Sequence, residues 1–147
     1  MSEGATNAPV PSKLVFLYEL ASLPPATKVR FVGCVLQYDV LNGQLLLEHA
    51  YPKNAHPVPR VSVDVSLVLE STASSALRHG CWINVIGYTQ NSGVHARKRK
   101  DSLHRRDEVV SLQAILIWDA GSLRIRDYEN TLEEQRLVQQ QLQAHPK

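Results

Sequence analysis

The side chains best equipped for chemistry in this sequence are basic and clustered. His95, Arg97, Lys98, Arg99, Lys100, His104, Arg105 and Arg106 lie close together, diluted by Asp101 and Asp107, and they include six of the sixteen Lys and Arg residues. Formal net charge is only +2, so the uneven distribution matters more than the total. Guanidinium and ammonium groups spaced this way suit a chain of phosphates, and phosphate tracking is one reading of the cluster. The other is a solvated hairpin whose RKRK core is a nuclear-import signal or a source of solubility. Arg30, Tyr38 and Tyr88 fall on strand-like stretches and would add a cation and two stacking faces. A base gains roughly 1–3 kcal/mol by stacking on an aromatic ring, although a strand tyrosine serves equally well as half-buried core.

Catalytic chemistry finds little support. Cys34 and Cys81 are far from any CxxC spacing, and the six histidines form no HExxH or Cys/His cluster, so no metal site is expected. Nucleophile-elbow, P-loop and dinucleotide glycine signatures are all missing. Asp39, Glu48 and Asp64 are single carboxylates on or near strands, where solvent exposure is the ordinary fate. The expectation is a binding protein with no cofactor and no enzymatic activity.

The elements that would position the candidates are mostly strands. Residues 1–12 are rich in Ser, Ala, Pro and Asn, too poor in apolar groups to offset the entropy of ordering, and read as a disordered tail. Residues 14–20, LVFLYEL, form a short apolar segment stopped by Pro24 and Pro25. Residues 28–39, KVRFVGCVLQYD, make a long strand apolar on both faces, bent at Gly33 to serve two sides of a barrel. Asn42-Gly43 supplies a hairpin turn to residues 44–50. In RVSVDVSLVL strict alternation puts Val61, Val63, Val65, Leu67 and Leu69 on the buried face. ESTASSALRHG is the only helical break between strands and ends at Gly80. CWINVIGY and VVSLQAILIW are the fourth and fifth strands.

Three strands, a short helix, two strands and a final helix is the order of an all-β, five-stranded Greek-key OB-fold barrel with a C-terminal α-helix. The expected organisation is a barrel domain over residues 13–120 and a partner-binding helix with its tail over 121–147. In such a barrel the basic cluster occupies the loop between strands four and five, which lines the nucleic-acid groove.

The last helix, spanning about residues 123–143, carries Ile125, Tyr128, Leu132, Val138 and Leu142 on one broad face, with Gln135 between them. Acidic residues gather in its early part, at the positive end of the helix dipole. The apolar stripe packs either on the chain's own barrel or on a partner's helix. Leu137, opposite Tyr128 on the helical wheel, leaves an apolar residue for a second surface and tips the reading toward a partner.

At 147 residues with 44% hydrophobic and 20% charged residues, one globular domain is expected. No apolar run reaches the roughly 20 residues that span a bilayer, and residues 1–12 lack a signal pattern. The chain reads as soluble, unexported and intracellular, with reduced thiols and no membrane partner.

KVRFVGCVLQYD, the GCWINVIG strand with Gly80 and Gly87, and the EEQRL of the last helix together resemble Ten-one, the small telomere-capping subunit of the CST complex, over about residues 14–143. The resemblance implies an OB barrel with a C-terminal helix, like the small subunit of replication protein A, and no catalysis. It implies a heterodimer with the OB domain of a Stn-one subunit, joined to a larger single-strand-binding subunit on telomeric DNA in the nucleus. The implied roles are end protection, restraint of telomerase and recruitment of DNA polymerase alpha-primase. Arg30 matches the family's first-strand arginine, and Tyr128, Leu132, Arg136 and Val138 match the partner-facing helix. The basic insertion 94–107 is longer than the family needs. The alternatives are a replication-protein-A-like small subunit working genome-wide and a free-standing single-strand binder.

Overall fold

The longest strand organises the barrel. In a computed structural model that describes residues 10–90 and 109–144, β2 (Lys28–Asp39) buries Val29, Phe31 and Val35 completely and turns Lys28, Arg30 and Cys34 the other way. Its first half pairs antiparallel with β5 (Trp82–Thr89) and its second half with β3 (Gln44–Glu48), with an irregularity between Val35 and Gln37. Gly33 sits at the changeover, where a β-carbon would lie 3.1 Å from the Leu47 β-carbon. The missing side chain lets the strand bend into the core and serve two neighbours.

The remaining strands close the cylinder. β3 pairs with β4 (Arg60–Asp64), β4 runs parallel to β6 (Val110–Asp119), and β6 returns antiparallel to β5. These five strands form the expected closed OB-like barrel. A two-residue strand, β1 (Lys13–Leu14), adds to β2 in parallel. It leads into a 3-10 turn, Leu17–Ser22, whose Leu17 and Leu20 plug the core. The Glu19 carboxylate accepts the Phe16 N–H at 2.8 Å and starts that turn.

One expectation is corrected. The buried alternation of the third strand holds for Val61, Val63 and Val65 but stops there, leaving Leu67 and Leu69 exposed and Val68 buried instead. Asp64 Oδ1 accepts both the backbone N–H and the hydroxyl of Ser66, and this Asx turn breaks the period of two. The expected short helical segment before β5 is present, and it is 3-10 in type. It makes two 3-10 turns, Leu69–Ser71 and Ser74–Leu77. The hydroxyls of Ser71 and Thr72 both donate to the Val68 carbonyl, competing with the backbone bonds a longer helix would need. Gly80, at φ +88°, then turns the chain into β5.

After β6 the Asp119 carboxylate accepts the Gly121 N–H, and α1 (Ile125–Ala144) follows.

Candidate partner and nucleic-acid surfaces

The C-terminal helix is seated on the outside of the barrel. Phe16, Val32 and Leu132 are buried yet stand apart from the main core cluster, forming a second, small core on the outer wall. Leu132 is 1% exposed. Around it, α1 is fixed by polar contacts one helical turn apart. The Tyr128 hydroxyl donates to the Val15 carbonyl at 3.3 Å. Glu129 meets His49 Nε2 at 2.7 Å, Glu133 accepts from the Tyr51 hydroxyl at 2.8 Å, and Arg136 grips Glu19 at 2.7 Å while donating to the Leu14 carbonyl at 2.8 Å. Residues 128, 132 and 136, with 129 and 133 beside them, share one helix face.

The electrostatics of this seat follow from its burial. Burial pushes the Tyr128 hydroxyl up to about 12, so it stays a donor at any physiological pH. Burial also raises the Glu19 carboxyl, but the Arg136 hydrogen bond and the Phe16 N–H outweigh it and hold the group below its ordinary value. The same hydrogen bond raises Arg136. His49 is 2% exposed and surrounded by rings. Trp82 presents its edge at 5.4 Å between centroids, with Tyr51 at 5.9 Å and Tyr128 at 6.3 Å. Its Nδ1 finds no hydrogen-bond partner among the described residues. Phe16 stacks on Tyr51 at 4.4 Å and meets Tyr128 edge-on at 6.2 Å.

This arrangement divides the helix residues singled out from the sequence. Tyr128, Leu132 and Arg136 are turned onto the chain's own barrel, and Ile125 is half-buried. Leu132 is therefore a core residue of this chain and not an outward contact. Gln135, Val138 and Leu142 remain exposed, as does Leu137. His49, Tyr51 and Glu19, far along the chain from the helix, carry no local signal of their role in seating it, and the one signal at Glu133 is its place beside the apolar stripe.

The nucleic-acid candidates separate as well. Arg30 projects outward, with its guanidinium carbon 5.2 Å from the centre of the Trp118 ring, a cation–π arrangement. Tyr88 is exposed next to it, since Lys28 pairs with Tyr88 and Arg30 with Ile86. Tyr38 is drawn inward: it pairs with fully buried Leu45 and packs against the core. Its half-buried ring forms part of the barrel wall, the second of the two roles open to a strand tyrosine. Arg97, Lys98, Arg99, Lys100, Arg105 and Arg106 lie outside the described residues. The flanks of that segment meet where Gln90 donates to the Ser111 carbonyl and Val110 pairs with Val61.

The β3–β4 surface carries no aromatic ring. Its outward side chains are Gln44, Leu46 and Glu48 on β3 and Arg60, Ser62 and Asp64 on β4. Arg60 is engaged by Glu48 at 3.3 Å and Ser62 donates to Gln44 at 2.9 Å. Among the described residues no group of three or more His, Cys, Asp or Glu side chains is placed to hold a metal.

Known proteins resemble this arrangement. A chain of the S. pombe Stn1-Ten1 complex superimposes with a TM-score of 0.63 at 22% identity, covering 88% of this chain and 95% of that one. The telomere capping protein Ten1 of S. pombe follows, with a TM-score of 0.60 at 22% identity over 86% of this chain and 98% of that one. U. maydis replication protein A bound to single-stranded DNA shares the fold, with a TM-score of 0.52 at 16% identity over 84% and 87%. No curated protein sequence matches significantly. The family model for Ten1, described as a telomere-capping subunit of the CST complex, matches residues 1–133. This chain belongs to the Ten1 family of telomere-capping CST complex subunits.

Proposed function

We propose that this chain is a non-catalytic heterodimer subunit that caps chromosome ends in the nucleus, joined through its C-terminal helix to the OB domain of a Stn1-like protein. The observation that carries the reading is the division of α1. Tyr128, Leu132 and Arg136 are held on the barrel, while Gln135, Val138 and Leu142 along the edge of that face, and Leu137 on the opposite side, stay exposed. A helix already held in place loses little further freedom when a partner's helix docks on it, and an apolar stripe in water favours such docking. The S. pombe relative is itself crystallised as a Stn1-Ten1 complex.

Within that assembly the heterodimer joins a larger single-strand-binding subunit and contributes to binding single-stranded telomeric DNA. Arg30 over Trp118, exposed Tyr88, and the basic residues 97–100, 105 and 106 are this chain's contribution. End protection, telomere length control and recruitment of DNA polymerase alpha-primase follow as functions of the whole complex.

The test is co-expression with a Stn1 OB domain, with stoichiometry read by light scattering. A one-to-one complex is expected. It should disappear when Val138 and Leu142 are both changed to Asp, while the thermal transition of the isolated chain is unchanged because both side chains are exposed. Failure to pair with any Stn1 OB domain overturns the reading.

A further inference from the structure

Two apolar segments that the core does not absorb meet at one corner of the barrel. The β2–β3 turn exposes Val40 (69%) and Leu41 (95%), and the chain after β4 exposes Leu67 (69%) and Leu69. They share this corner because Gln44 pairs with Asp64, Val65 donates to the Gly43 carbonyl at 2.9 Å, and a β-carbon on Gly43 would lie 3.9 Å from that of Ser66. A leucine 95% exposed at a turn tip contributes nothing to folding, and contiguous apolar patches of this kind mark binding surfaces.

Charge selects the occupant. Asp39 and Asp64 hold the bases of the two segments, accepting hydrogen bonds from the neutral groups of Asn42 and Ser66. Phosphates of nucleic acid or anionic lipid would meet like charge here. A second copy related by a two-fold axis would bring carboxylates against carboxylates. A protein segment with apolar anchors and a cationic rim meets both demands.

We propose that the corner bearing Val40, Leu41, Leu67 and Leu69 docks a protein segment that presents apolar side chains flanked by lysine or arginine. This surface is separate from α1, so it is independent of the heterodimer reading.

The probe is a short fluorescein-labelled peptide with two leucines set between lysines, titrated against the full chain by anisotropy. Matched peptides carry glutamate for lysine or serine for leucine. Binding by the lysine–leucine peptide alone is expected, weakened about tenfold or more by Leu41→Ser with Leu67→Ser. Asp39→Asn with Asp64→Asn should weaken it several-fold and reduce its salt dependence. Leu41→Glu serves as a second variant should Leu67→Ser alter the circular dichroism. Equal binding by the leucine variants, or equal affinity for the glutamate peptide, overturns the proposal. So does an oligo-dT strand that shifts the amide resonances of residues 40–43 and 66–69, which would make the corner a nucleic-acid site. A concentration-dependent rise in mass that Leu41→Ser abolishes overturns it in favour of a second copy.

Discussion

The Glu19–Arg136 pair ties the helix to the N-terminal turn, and its geometry makes it the most consequential single contact in the seat. Arg136 bonds both Glu19 oxygens, at 2.7 and 3.1 Å, with both side chains about four-fifths shielded from solvent. Charge-assisted bonds of this kind are the stronger class. Arg136→Ala should cost about 2 kcal/mol, lowering the melting temperature by about 6 °C, measurable by calorimetry. The pH dependence has a definite sign. Glu19 titrates lower in the folded chain than its ordinary 4.5, so the unfolded chain binds more protons in that window. The pair's contribution is complete above 4.5 and is lost as pH falls through the folded value. The difference in melting temperature between wild type and Glu19→Gln should be constant above about pH 5.5 and close below 4.5. A difference that does not narrow as pH falls below 4.5 would show that the pair's charge does not matter.

Among the elements, the β5–β6 pair depends on an absent side chain. Gly87 sits at the register irregularity between these strands, and a β-carbon there would be 2.2 Å from the Gln113 carbonyl oxygen and 3.0 Å from the Ala114 α-carbon. Both are backbone atoms of the facing strand and cannot rotate away. Gly87→Ala should therefore destabilise the barrel by about 3 kcal/mol, read by denaturant unfolding. An unchanged midpoint would mean that the bulge relaxes freely. The same strand pair carries Tyr88 and, across β6, Trp118, so the variant should also weaken any contact made through Arg30.

For the whole molecule, position and charge are unevenly divided. The β3–β4 surface holds its arginine in an ion pair, the Arg30–Trp118 wall lies on β2 and β6, and the densest cationic run is in residues 97–106. If that run follows phosphates, changing residues 97–100 to Ala in the heterodimer should reduce the slope of log affinity against log salt by about 3, near 0.7 per single-strand phosphate contact. Mobility shift at several salt concentrations reads this directly. An unchanged slope would assign the run to import or solubility.

The strand order of the barrel was legible in the sequence because each apolar, β-branched run is bounded by turn formers, and the Gly33 bend because a glycine interrupts a run apolar on both faces. The amphipathic helix was legible for the same kind of reason. Local pattern could not reveal where that pattern stops: Leu67 and Leu69 continue an apolar alternation, and only the Asp64–Ser66 turn puts them outside. Nor could periodicity say which half of α1 the barrel would claim. That depended on His49, Tyr51 and Glu19, each distant in sequence from the helix and brought under it by barrel closure. Sequence by itself determined which side chains are apolar and at what spacing, since both are local properties. Tertiary structure alone decided which of them were left over for partners, because burial depends on contacts between residues far apart along the chain.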